Sequence, residues 1–208
     1  MKVRRLLTTM GVSTAVVVLA ASATALAGEE KVAKIGDPAP NFTLLDTNGQ
    51  KRSLSEYAGR IVVLEWFNTR CPVVQKCYRL ETIQTAHERV NELDKTAVWL
   101  AINSTASTNA EQNAVWIKQY GMKSPILLDV DGTVGHQFDA KRTPHMFVID
   151  KKGILRYNGA IDDNSYGNKS LDETTNYVVN AVQQILEGET VAPDKVKPYG
   201  CSVKYANK

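Results

Sequence analysis

Cysteine is scarce in this chain and no Cys-x-x-Cys pair occurs: the three cysteines are Cys71, Cys77 and Cys201, and Val74 stands where the second member of such a pair would fall. Three is an odd count, which leaves either one pair and one free thiol or a set that exchanges partners. Basic stripes interleaved with aromatics are also missing, which argues against nucleic acid as a partner. The formal charge of +3 is carried by Lys2, Arg4 and Arg5, so the rest of the chain is balanced. No internal repeat and no low-complexity linker divides it. Long apolar runs are confined to residues 12–26, a stretch too short and too rich in Ala, Ser and Thr for a convincing membrane span.

That stretch has a basic start before it and the small-residue triplet Ala25-Leu26-Ala27 at its end, the pattern of a secretory signal peptide over residues 1–27. No cysteine follows the expected cleavage site, so no lipid anchor is expected and no membrane anchor remains after cleavage. The reading is an exported protein, periplasmic or extracellular, with a main domain over 28–190 and a tail over 191–208 that carries Cys201. The domain is long enough to bury a substantial core.

Cys71 ends the run Ile61-Val62-Val63-Leu64-Glu65-Trp66-Phe67-Asn68-Thr69-Arg70-Cys71-Pro72. A buried strand followed by cysteine and then proline puts the thiol at a helix N-terminus, because proline suits the first helical positions. There the helix dipole and free N–H groups stabilise a thiolate, the reactive form. Thiol redox chemistry follows from that placement.

The remaining pattern alternates strands and helices: a short hairpin over 42–54, strands at 61–67, 97–102 and 125–129, helices at 72–94 and 109–120, a hairpin at 146–157, and a final helix at 171–186. This order predicts an α/β fold, a central mixed β-sheet flanked by helices with an N-terminal β-hairpin extension. This order resembles that of the thioredoxin fold.

Three further motifs are Gly36-Asp37-Pro38-Ala39-Pro40-Asn41-Phe42-Thr43-Leu44, Leu127-Leu128-Asp129-Val130-Asp131-Gly132 and Thr143-Pro144-His145-Met146-Phe147-Val148-Ile149-Asp150. Together with the strand into Cys71 they resemble the redoxins, the alkyl hydroperoxide reductase/thiol-specific antioxidant family, over about residues 35–186. The resemblance implies a cis Thr143-Pro144 peptide beside the active cysteine, shaping the substrate contact together with Trp66 and Arg70. It also implies a protein or small-molecule disulfide or peroxide as substrate and a thiol as reductant, with no cofactor and no resident metal.

Two chemistries compete within that family. A peroxiredoxin carries Pro-x-x-x-Thr-x-x-Cys and a peroxide-steering arginine; here Leu64, Asn68 and Pro144 stand at those three positions. Glu65 and Trp66 instead resemble thioredoxins, in which an acid lies buried beneath the site. On an alternating strand Glu65 shares a face with Ile61, Val63 and Phe67, so burial should raise its pKa and suit it to moving a proton to or from a thiol. The expectation is thiol–disulfide exchange at Cys71, with peroxide reduction as the alternative.

The resolving cysteine is open between two candidates. Cys77 lies six residues on, about 9 Å and 600° of helix away, so a Cys71–Cys77 bridge requires the helix to unwind; it otherwise reads as a core thiol. Cys201 sits in a Pro- and Lys-rich tail, expected to be flexible, whose Gly-Cys-Ser-x-Lys-aromatic segment resembles that of peroxiredoxin-like proteins. It either resolves Cys71 or staples the tail to Cys77. A further alternative is a redox-inert or copper-binding module using Cys71, Cys77 and His145, although copper carriers of this fold space their cysteines one helical turn apart.

Overall fold

In the computed structural model residues 32–206 are described, and the signal-like segment 1–27 lies outside them. Four strands come first in chain order with helices between them: β1 (Thr43–Asp46), β2 (Lys51–Ser53), β3 (Val62–Trp66) and, after α1 (Pro72–Arg79) and α2 (Thr82–Leu93), β4 (Val98–Asn103). Then follow α3 (Ala110–Tyr120), β5 (Ile126–Leu128), α4 (Thr133–Gln137), β6 (Arg142–Thr143), β7 (His145–Ile149), β8 (Leu155–Gly159), α5 (Tyr177–Glu187) and β9 (Cys201–Ser202). A seven-stranded sheet runs in the order β2-β1-β5-β4-β3-β7-β8. It is mixed: β3, β4 and β5 are parallel, while β1, β7 and β8 pair antiparallel to their neighbours.

Both faces of the central strands are covered, so β3 is buried at every residue. Val63 packs with Ile61, Phe67 and Cys71 in a core shared with α1, α2 and α5, while Val62, Leu64 and Trp66 point into a second core around Phe42, Phe138 and Phe147. Cys71 and Trp66 therefore lie on opposite faces of the sheet.

The expected helix over 72–94 is two helices. Glu81 takes a left-handed conformation with φ 58, a cost for a residue with a Cβ and one that no Gly or Pro announces. The apolar pattern supplies the reason: Val74, Cys77 and Tyr78 are the buried residues of α1, and Ile83, Ala86 and Val90 lie among those of α2. These two stripes are out of phase on one continuous helix, and the break realigns both onto the same core. The last helix begins at Tyr177 rather than at 171, with the Asn176 side chain accepting from Val179 N as its cap.

The tail follows a fixed course over the domain, contrary to the expectation of flexibility. It runs beside β8, where Asn158 N donates to Asp194 O (3.0 Å) and Val196 N to Asn158 O (3.3 Å). Gly159 leaves it room, since a Cβ there would lie 2.4 Å from Val196 O. The tail then crosses the Cys71 end of the sheet as β9 and finishes with Tyr205 seated on Gly132 and Gly135, its hydroxyl donating to Ala140 O (2.7 Å).

Candidate active site

Cys71 is the N-cap of α1, with extended backbone (φ −78, ψ 117) and Pro72 opening the helix. Cys71 is only 1% exposed, and its S–H donates to the Thr143 carbonyl at 3.1 Å. Thr143 precedes Pro144, and the peptide between them is cis. Across from Thr143 stands Cys201, its partner in the antiparallel pairing of β6 with β9. The Cys71 and Cys201 thiols are neighbours and both are free. Two cysteines 130 residues apart in sequence thus meet over one threonine.

The protonation states are asymmetric. Burial pushes the Cys71 thiol up, but hydrogen bonds from Cys201, from Thr143 and from the Val74 and Cys201 backbone N–H groups outweigh it, so the pKa falls below that of an ordinary cysteine. The Thr143 hydroxyl is buried with no other partner, and a thiolate gives it one. Burial and the neighbouring Cys71 both raise Cys201. Cys71 is therefore the more acidic thiol of the pair and Cys201 the less acidic.

Cys77 takes no part in that pair. It is buried on α1, and its pKa is pushed up to about 12 by burial and by the nearby Asp162. Residues 72–79 form an intact helix, so the separation that spacing predicts between Cys71 and Cys77 is present.

Glu65 lies wholly buried between Tyr78 and Trp99, which donate to its carboxylate at 3.1 and 2.9 Å. Burial raises its pKa to about 7, against the lowering effect of those two donors. A cavity of about 60 Å³ adjoins it, lined also by Gln84, His87 and Lys123. The hydrogen bonds of Glu65 are with the two aromatic residues and not with either sulfur. Trp66 is fully buried in the second core with its indole N–H on Ser104 Oγ (2.9 Å). Arg70 is exposed beside the site, its backbone N–H bonded to Asn68 Oδ1 (2.8 Å).

The copper alternative does not assemble. His145 Nε2 is bonded to Asn158 Oδ1 (2.7 Å) and its Nδ1 accepts from Lys141 N (3.2 Å), which occupies both ring nitrogens. Among the described residues no three His, Cys, Asp or Glu side chains come together as metal ligands, and no helix is long and apolar enough to cross a membrane. The residues that sequence reading did not single out are Tyr199, Gly200 and Asp162. Gly200 was visible beside Cys201, but its need for close approach was not.

A thioredoxin-like sheet that presents a helix-capping cysteine beside a cis-proline loop, with a second thiol against it, defines a thiol-dependent oxidoreductase. The chain belongs to the AhpC/TSA family, whose profile matches residues 35–158. Thiol-disulfide oxidoreductase ResA of Bacillus subtilis (strain 168) is 32% identical over 127 residues, 61% of this chain and 67% of that protein. Thiol:disulfide interchange protein DsbE of Escherichia coli (strain K12) is 29% identical over 136 residues, 64% of this chain and 68% of that protein. The crystal structure of a hypothetical protein from Sinorhizobium meliloti 1021 superposes with a TM-score of 0.73 at 25% identity, covering 84% of this chain and 96% of that one.

Proposed function

We propose that this protein is an exported two-cysteine thiol–disulfide oxidoreductase in which Cys71 attacks and Cys201 resolves. The observation that carries the reading is the Cys71–Cys201 contact over Thr143. The Cys71 thiolate attacks a disulfide R–S–S–R′, forming Cys71–S–S–R and expelling R′S⁻, which takes up a proton. Cys201 then loses its proton and attacks the Cys71 sulfur. The Cys71–Cys201 bond forms, the bond to R breaks, and RS⁻ leaves. The substrate gains two electrons, and an external thiol reductant returns two electrons and two protons to the pair.

Disulfide exchange is favoured over peroxide reduction because Leu64, Asn68 and Pro144 replace the three peroxide-handling residues of peroxiredoxins. Thr143 and Pro144 are read as the substrate contact, with exposed Arg70 at its rim. Because Cys71 is covered, β9 has to part from β6 for a bulky substrate to reach it. Glu65 is read as a buried acid that exchanges its proton through the adjoining cavity as the thiols titrate. Export is supported by the basic start, the apolar stretch and the Ala25-Leu26-Ala27 site, and an oxidising compartment is where such disulfides persist.

Quenched alkylation and mass mapping after reaction with stoichiometric glutathione disulfide test the reading. The expected product is a Cys71–Cys201 bridge; Cys201→Ser should stall as a Cys71–glutathione mixed disulfide, and Cys71→Ser should be inert. A Cys77–Cys201 bridge would overturn it. Stopped-flow reaction with hydrogen peroxide should run near the rate of free cysteine, and a rate orders of magnitude faster would establish the peroxidase instead.

A further inference from the structure

β6 and β9 are each two residues long. The ladder is two register pairs plus an exposed hydrogen bond from Arg142 to Ser202 Oγ (3.0 Å), and beyond Cys201 the tail is tied by Val203 N donating to Lys141 O (3.3 Å), Ala106 N donating to Lys204 O (2.9 Å) and the seated Tyr205. On the other side the hold lies two residues before Cys201. The Tyr199 hydroxyl donates to Asp162 Oδ1 at 2.5 Å, and the side chain packs against the core that holds Cys77. The Lys76 ammonium sits 5.9 Å from the centre of the Tyr199 ring. Asp162 is 3% exposed and held in its own turn, its Oδ1 also accepting from Asn164 N at 2.9 Å.

One tail side chain therefore joins the loop after β8 to α1, the helix that Cys71 caps. Between that anchor and Cys201 there is only Gly200. It sits at φ +105, and a Cβ on it would lie 2.2 Å from the Thr143 oxygen. From a fixed Tyr199 the chain has one close-packed step to Cys201, and that step ends at the Cys71 sulfur.

We propose that Tyr199, held by Asp162, is the positioning residue of the resolving step: it fixes Cys201 at the Cys71 sulfur and so sets the effective concentration of the second thiol. In this arrangement Cys77 is a seat for the anchor and carries no electrons. The inference rests on the reading of Cys201 as resolver. The step it governs is the attack of the Cys201 thiolate on Cys71–S–S–R: the Cys71–Cys201 bond forms, the Cys71–SR bond breaks, and RS⁻ leaves with the bonding pair and is protonated by solvent.

The test uses the protein with all three cysteines in glutathione buffers, where protein dithiol plus GSSG is in equilibrium with protein disulfide plus two GSH. Tyr199→Phe removes one oxygen and keeps the ring. It should lower the equilibrium constant for the Cys71–Cys201 bridge about tenfold, equivalent to about 30 mV for this two-electron couple, and slow resolution of the mixed disulfide by a similar factor. In the Cys201→Ser background, adding Tyr199→Phe should not slow the first attack of Cys71 on GSSG. A general loss of structure would not give that split. Asp162→Ala should match Tyr199→Phe, and the double variant should lose no more than either alone. A bridge constant unchanged within twofold in Tyr199→Phe, or an equal fall in both steps, overturns the positioning role. Failure of the unsubstituted protein to form any Cys71–Cys201 bridge overturns the resolving role itself, and this inference with it.

Discussion

Thr143 and Cys201 face each other across the short antiparallel pairing of β6 and β9, and the Thr143 carbonyl is also the acceptor for the Cys71 S–H at 3.1 Å. A single residue thus holds both thiols. The carbonyl favours the Cys71 thiol, and the Thr143 hydroxyl, otherwise unpartnered, favours its thiolate. The Thr143 hydroxyl is one of the groups, Cys201 first among them, that lower the Cys71 pKa against burial.

Thr143→Val keeps the branched shape and the burial but removes that donor. A lost hydrogen bond to a charge, about 1.5 kcal/mol, corresponds to about one pH unit. The Cys71 pKa should therefore rise by about that amount, and alkylation by iodoacetamide at pH 7 should slow several-fold. A pH–rate profile of the Cys201→Ser background with and without the change reads it directly.

Gly200→Ala should uncouple the two cysteines without unfolding the domain. The added Cβ meets the Thr143 oxygen at 2.2 Å from a backbone at φ +105, so the tail has to lift rather than adjust. Bridge formation in glutathione buffers should fall at least tenfold, while the main thermal transition moves by only a few degrees. A bridge as stable as in the parent protein would show that the tail reaches Cys71 by another path.

Cys77→Ser should retain disulfide exchange within about twofold, since a hydroxyl can still meet Tyr199, and should destabilise the fold by about 1–2 kcal/mol because a more polar group is buried in the same space. Denaturant unfolding and an insulin-reduction assay separate the two effects. Loss of exchange with stability intact would return Cys77 to the electron path.

Glu65 gives a pH signature in stability. Its pKa is raised by burial to about 7, so between about pH 4.5 and 7 the folded state keeps a proton that the unfolded state releases, and stability falls as pH rises through that window. The term amounts to about 3 kcal/mol and is constant above pH 8. Glu65→Gln carries no such proton. The stability of Glu65→Gln relative to the parent should therefore climb from pH 5 to pH 8, which urea unfolding at each pH measures. Taking the difference removes the opposing slope from His145, whose pKa is lowered by burial to about 4.

Much of this site is legible in the chain itself. An apolar strand that runs into cysteine and proline and a glutamate at an inward position specify the helix-capping thiol and the buried acid from local rules of strand alternation and helix capping, whereas the cis-proline loop was expected from the family resemblance of Thr143-Pro144. The order of strands and helices likewise specifies the sheet. The break at Glu81 was hidden because its cause is the phase of two apolar stripes against a shared core, which local propensity does not report.

Which thiol meets Cys71 was decided by tertiary structure. Helical spacing separates Cys77 from Cys71 unless the helix unwinds, and nothing local says where Cys201 goes, because its position is set by residues far away in sequence: Gly159, which leaves room for the tail, Asp162, which holds Tyr199, and Gly132 and Gly135, which receive Tyr205. The chain determined which cysteine caps a helix, since capping is a short-range property. The tail's packing across the sheet end determined its partner, since a contact spanning 130 residues is fixed only when the whole core is assembled.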